Sequence, residues 1–151
     1  VDFAALFAAV EADAMTLGVF ETVNAHEAPR NAPGNGPSLD LWFQGIKPAP
    51  WAGGLASTSV VIHLQGRVYM SAEQQPYDAI DPAIVDASVR LIANYSAGFT
   101  LGGLVRNVDL LGESGITLGG EAGYVMRDNR RFRVVTLDIP LIVNDLMAQA
   151  A

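Results

Sequence analysis

A chain of 151 residues that is half apolar and 17% charged fits one globular domain, 1–151, and carries too many core-forming residues to be disordered by composition. The net charge of −7 argues against a protein that grips nucleic acid by its phosphates, and the lack of cysteine excludes disulfides and thiolate metal sites. No apolar run reaches the eighteen residues of a membrane helix and "VDFAALFAAVEADA" carries acids within its apolar pattern, so a soluble protein without a signal peptide is expected.

The first element reads as a helix. Phe3, Leu6, Phe7, Val10, Ala14 and Leu17 recur at helical spacing, Asp2 can cap the start and Gly18 can close the end. "VFETVNAHEA" is rich in Val, Phe and Thr and reads as a strand. "PRNAPGNGP" can continue neither a helix nor a central strand and is a loop. "SLDLWFQGI" alternates as a strand, "KPAPWAGGLAS" is a turn or loop tip, and "TSVVIHLQGRVYMS" is a long strand. One face of that strand carries Val60, Ile62, Leu64, Val68 and Met70; the other carries Val61, His63, Gln65, Arg67 and Tyr69. A second helix is expected from about Pro82 to Tyr95, with Ile84, Val85, Ser88, Leu91, Ile92 and Tyr95 on one face and Gly98 at its end. Strands "LVRNVDLL", "ITLGGEAGYVMR" and "RFRVVTLDIPLIV" follow, with Asp128-Asn129 in a hairpin turn. Pro140 suggests that the last run leaves the sheet or becomes an edge there. The order predicts an α+β fold: a mostly antiparallel sheet, two helices packed on one face, and a long protruding β-hairpin.

The densest acidic stretch is "SAEQQPYDAIDPAIV", with Glu73, Asp78 and Asp81 downstream of His63. A metal site built from His26, His63 and one of these acids is conceivable, but the spacing matches no ligand motif. The reading as a helix start explains more. Asp81 can accept the free N–H groups of a first turn and Pro82 suits the first helical position, so both are taken as a structural helix cap. No phosphate-cradling loop, no His-Glu-x-x-His and no nucleophile elbow is present, so no catalytic, cofactor-binding or metal-binding residues are assigned. Trp42, Phe43 and Trp51 lie on or beside the hairpin, where an aromatic arm is hard to bury within one small domain. With Tyr69, Arg130 and Arg131 they are candidates for a subunit interface, in which aromatic and arginine anchors are enriched. Arg127, Arg130, Arg131 and Arg133 form the densest basic cluster, interrupted by Asp128.

The stretches "GVFETVNAHEAPRNAPG", "WFQGIKPAPWAGGLASTSVVIHLQGRVYMSAEQQPYDAIDP", "GGLVRNVDLLGESG" and "IPLIVNDLMAQAA" together resemble the tail terminator proteins of long-tailed, siphovirus-type actinobacterial phages. The similarity runs over essentially the whole chain, and "LASTS", "QPYDAIDP", "VRNVDLLG" and "PLIVND" are its most specific parts. The resemblance implies a virion protein at the head–tail junction, assembled in the host cytoplasm, with no enzymatic activity and no cofactor. It implies a homohexameric ring that stops polymerisation of the tail tube and presents a surface to the head–neck connector, while DNA passes through its lumen without specific binding. The hairpin would reach a neighbouring subunit, and acids lining such a lumen would repel phosphates. Two other readings stand beside it: another ring or tube subunit of the tail or neck, and a small metal-dependent enzyme using His63.

Overall fold

The structure, a computed structural model, describes residues 2–27, 36–49 and 57–148. Helix α1, Phe3–Thr16, starts where the sequence places it: the Asp2 side chain accepts from the Ala5 N–H at 3.1 Å. It ends at Gly18, whose φ of +69° is the left-handed conformation that closes a helix at low steric cost. Fourteen residues make a marginal helix alone, so α1 is held by burying Leu6, Val10 and Ala14 against the sheet. The strand expected next is reduced to β1, Val23–Asn24.

Strands β2, Ser38–Pro48, and β3, Ser57–Ser71, form the long antiparallel hairpin. Its tip, which includes Trp51, lies outside the described residues. Helix α2 spans Ile80–Ser96 after a 3-10 turn at Tyr77–Ala79. Its buried face is Ile80, Ile84, Ala87, Ser88, Leu91 and Tyr95; Val85, expected on that face, is exposed. "LVRNVDLL" contributes only β4, Asn107–Val108, while β5, Gly119–Arg127, and β6, Arg130–Ala148, form a second hairpin. Asp128 and Asn129 both have positive φ in a two-residue loop closed by Arg127↔Arg130, as expected.

Among the described residues these strands make one six-stranded sheet in the order β1-β2-β3-β6-β4, with β5 also on β6. All neighbours are antiparallel except β1 and β2. Both helices pack on one face, against Leu39 and Leu41 of β2, Val60, Ile62, Leu64, Val68 and Met70 of β3, and Leu137, Ile139, Leu141 and Val143 of β6. The α+β architecture and the face of β3 that joins the core are as the alternation predicts.

Pro140 does not end the sheet. It lies inside β6 opposite His63, and β6 continues beside β3 to Ser57↔Ala148, so the upper part of the hairpin is backed by a third strand. The Pro140 carbonyl accepts from the Asp109 N–H at 2.9 Å, away from β3. In a strand a residue's N–H and C=O point to the same flank, so the missing donor also faces away from β3. There β5 has ended at Asp138 and β4 pairs only from Leu141. Proline is tolerated because it occupies a gap in that ladder.

Tyr95 packs edge-to-face on Phe99, ring centroids 4.8 Å apart, and is 1% exposed. Its hydroxyl has no hydrogen-bond partner among the described residues. Burial first, and then the Asp13 carboxylate, push its pKa well above the usual phenol range. An unpaired buried hydroxyl costs roughly 1–3 kcal/mol. Tyr95→Phe is therefore expected to raise the midpoint of chemical denaturation; a lower midpoint would mean that the hydroxyl is satisfied.

Candidate assembly surface

The face of the sheet away from the helices carries a polar ladder. Alternation along β3 places Val61, His63, Gln65, Arg67 and Tyr69 there, and β6 adds Thr136 and Asp138. His63 Nε2 shares a 2.8 Å hydrogen bond with Asp138, and Gln65 donates to the same carboxylate at 3.3 Å. The Arg67 guanidinium lies 5.2 Å from the Trp42 ring centroid and 3.8 Å from Glu27. Asp40 accepts from Asn24 at 2.9 Å and from the Tyr69 hydroxyl at 3.4 Å. Tyr69 is thus no surface anchor: it is 1% exposed and packs with Phe132, Val134 and Val125 within its own chain. Sequence reasoning missed Asp138 because its meaning depends on a partner seventy-five residues away in the chain.

His63 is not brought to the acidic stretch. It lies eight residues before the end of β3, about 26 Å along an extended strand, and on the opposite face from the helices. His26 is exposed on the segment after β1. Among the described residues no group of three or more histidines or carboxylates is placed to hold a metal ion. The three-residue site considered from the sequence does not assemble.

Asp81 and Pro82 do not cap α2. The 3-10 turn feeds the helix two residues earlier, so the N-cap position is Ala79, without a side-chain hydrogen bond. Asp81 lies in the first turn and turns to the sheet, accepting from Arg133 Nε at 2.9 Å. Its charge still sits at the positive end of the helix. Arg133 also donates to the Gly123 carbonyl at 3.2 Å and lies 4.5 Å from the Tyr124 ring centroid, while Arg131 lies 4.6 Å from the same ring. Glu73 and Asp78 remain exposed, Glu73 beside this cluster. Between the turn that leads into α2 and the β5–β6 hairpin lies an open groove of about 600 Å³, lined by Tyr77, Ile80, Tyr124, Met126 and the two arginines.

Arg130 and Arg131 are exposed. So are Phe43 at 52% and Tyr124 at 56%, whereas Trp42 is half-buried beneath Arg67. Ile46, Tyr124 and Met126 were missed as candidates. The alternation of Ala122, Tyr124 and Met126 after the glycines of β5 is visible in the sequence, but it points to an open edge only once the sheet order leaves β5 with β6 as its one neighbour among the described residues.

The upper end of the helix-free face is covered by the loop after β4, where Ile116 packs on Ala49, Val61 and Ile142. Asp109 organises that loop. Its carboxylate accepts from the N–H of Ser114 at 2.8 Å and of Glu113 at 3.2 Å. Burial pushes its pKa up, but hydrogen bonds from Ser114, Glu113 and Gly112 outweigh this and hold it below the usual carboxylate value.

No protein-family model matches the chain, and no curated protein matches it. Among solved structures, the sheath/tube terminator of an extracellular contractile injection system, in its extended state, is similar with a TM-score of 0.37 and 8% sequence identity. The match covers 97% of this chain and 58% of that one, so the chain spans under two thirds of that structure's length. A likeness of this size is one of outline, and no function follows from it. None of the described helices is long and apolar enough to cross a membrane.

Two outcomes are expected. Arg133→Ala removes an ion pair, a backbone hydrogen bond and a ring contact, and should cost about 1–2 kcal/mol; Asp81→Ala loses one exposed ion pair, at most about 1 kcal/mol. Equal losses in denaturant titrations would contradict this ranking. Asp109→Asn should cost about 2 kcal/mol at neutral pH, since it weakens two charge-assisted bonds. Because the folded carboxyl has the lower pKa, its stabilisation is complete above the unfolded value, about 3.9, and fades as pH falls through the folded one. The gap between wild type and variant, followed by thermal melts, should therefore close on acidification.

Proposed function

We propose that the chain is a structural virion protein, the tail terminator of a long-tailed phage. In this reading it forms a homohexameric ring on the end of the tail tube, stops tube growth and presents its other side to the head–neck connector. Its action is assembly, not catalysis. The sequence resemblance over nearly the whole chain supports this family reading. The observation that carries the assembly reading is a sheet open on both flanks: β5 has no neighbour beyond it, and β2 beyond Asp40 has none, among the described residues. A subunit with open edges on opposite sides can associate head to tail, the kind of contact that generates rings when the rotation closes. The exposed Phe43, Ile46, Tyr124 and Met126 lie on those edges, where a neighbour would cover them.

The charge supports passage of DNA rather than its capture. Four of the nine basic residues are the arginines at 127, 130, 131 and 133, which leaves five cations against sixteen acids in the rest of the chain. Six copies would carry six times −7, or −42.

The second reading, a tube subunit, differs in what happens beyond the first ring. A terminator gives closed rings that do not stack, and adding it to growing tubes shortens them. Native mass measurement with negative-stain images is expected to show six-fold rings, alone or on tube ends. Spontaneous growth into long tubes would reassign the chain as a tube protein, and monomers that never associate with tube ends would sink both readings.

A further inference from the structure

The two open edges are complementary to each other. From Leu41 to Pro48 the outer flank of β2 meets no strand among the described residues, and the whole outer flank of β5, Gly119–Arg127, is likewise free. Their lengths match at eight and nine residues. Their directions also match: β2 and β6 run one way, β3 and β5 the other. A copy rotated about a ring axis keeps the sense of each strand at the edge where neighbours meet. Its β5 would run antiparallel to β2, the favoured sense.

Register is restricted by the two faces of the sheet. The helix side of one copy must continue the helix side of the next, so allowed registers differ in steps of two residues. Past the bulge after Phe43, Ile46 is on the helix side with Ile62, and Lys47 is on the other with Val61. In β5, Ala122 and Tyr124 are on the helix side, while Glu121, Gly123 and Val125 are not. One register places Lys47 opposite Glu121, Ile46 opposite Ala122, Gly45 opposite Gly123 and, across the bulge, Phe43 opposite Tyr124. Opposed charges and paired aromatics both favour it. A slip of two residues either way sets Lys47 against Gly119 or Gly123 and loses the charge pair.

The glycines agree. A Cβ at Gly45 or Gly119 would meet nothing within 4 Å, and one at Gly123 only a Val134 methyl at 3.9 Å. None of the three has a positive φ, so no turn conformation demands glycine there. Glycine on a strand without an internal reason fits close approach of another backbone.

We propose that β2 of one copy pairs antiparallel with β5 of the next, with Gly45 opposite Gly123 and Lys47 opposite Glu121, so that the sheets of the ring join edge to edge. This rests on the ring reading above. Gly45 pairs with His63, and Gly123 pairs with Val134, which pairs with Tyr69. Each copy is therefore displaced by the six residues from His63 to Tyr69, about 20 Å, across four strand spacings of about 19 Å. Levelling that displacement into a closed ring needs the strands to lean by roughly 45°, next to the 35–45° tilt of closed barrels. The helix layer has room only on the convex side, so the polar ladder of Trp42, His63, Gln65, Arg67 and Asp138 faces the lumen.

The cysteine-free chain permits a direct test. Gly45→Cys and Gly123→Cys together place two sulfurs across a non-hydrogen-bonded pair, where Cα atoms about 4.5 Å apart suit a disulfide. Oxidation of the double variant at high protein concentration should give a ladder of covalent multimers ending in a closed species. Each single variant should stay largely uncross-linked, and a mixture of the two should stop at dimers. Introducing Lys47→Glu or Glu121→Lys should reduce the ladder, and introducing both should restore it. Single variants that cross-link as readily as the double, or a double variant that stays monomeric, would overturn the pairing. Six-fold rings without cross-links would remove the edge contact and leave the ring reading standing. Cross-linked chains that never close would do the reverse.

Discussion

The antiparallel ladder between β3 and β6 is the constraint on which the other elements depend. It runs from Ser57↔Ala148 to Ser71↔Phe132 with one register shift between Thr58 and Val60, so two strands far apart in sequence are fixed along nearly their whole length. Once that register is set, the alternation of each strand decides everything on either side. Val60, Ile62, Leu64, Leu137, Ile139 and Leu141 form one apolar surface that only the helices can cover. His63, Gln65, Thr136 and Asp138 fall on the other. A slip of one residue would exchange the two sets, which makes the register self-enforcing.

What the sequence made legible was whatever depends on neighbours a few residues away. The Asp2 cap, the Gly18 stop, the Asp128-Asn129 turn and the two faces of β3 are all local. The expectations that changed depended on partners distant in sequence. Pro140 is compatible with an inner strand because β5 ends and β4 begins beside it. Asp81 is drawn to Arg133 rather than to the backbone of its own helix, and the turn at Tyr77–Ala79 moves the helix start ahead of it. Tyr69, reasonably read as an exposed aromatic on a polar face, is enclosed by Phe132 and Val134 from a strand sixty residues on. The β1 segment has strand-forming residues but only two find a partner, because β2 is reached by it at one corner. The candidate assembly surface was half visible: Phe43, Arg130 and Arg131 stand out by type, whereas Ile46 and the alternation of β5 gain meaning only once the sheet order leaves them on an edge.

The arginine cluster shows how one set of residues serves both inside and outside. Arg133 is tied into the chain by Asp81, Gly123 and Tyr124, and it braces the hairpin against the first turn of α2. Arg131 leans on the same ring from an exposed position, and Arg130 is free of the core. Arg133 thus ties the strand that carries Arg130 and Arg131 to the first turn of α2.

The one-sided core has a consequence for how such a chain can change over generations. Because the main core lies between the helices and one face of the sheet, with two smaller apolar clusters on the other, the polar positions between those clusters are thermodynamically cheap to alter. Side chains such as Gln65 and Thr136 can be exchanged for others of different charge while the register, the helices and the edges stay as they are. The fold thus separates inheritance of shape from variation of the surface that faces away from the helices, and that surface is free to follow whatever passes before it.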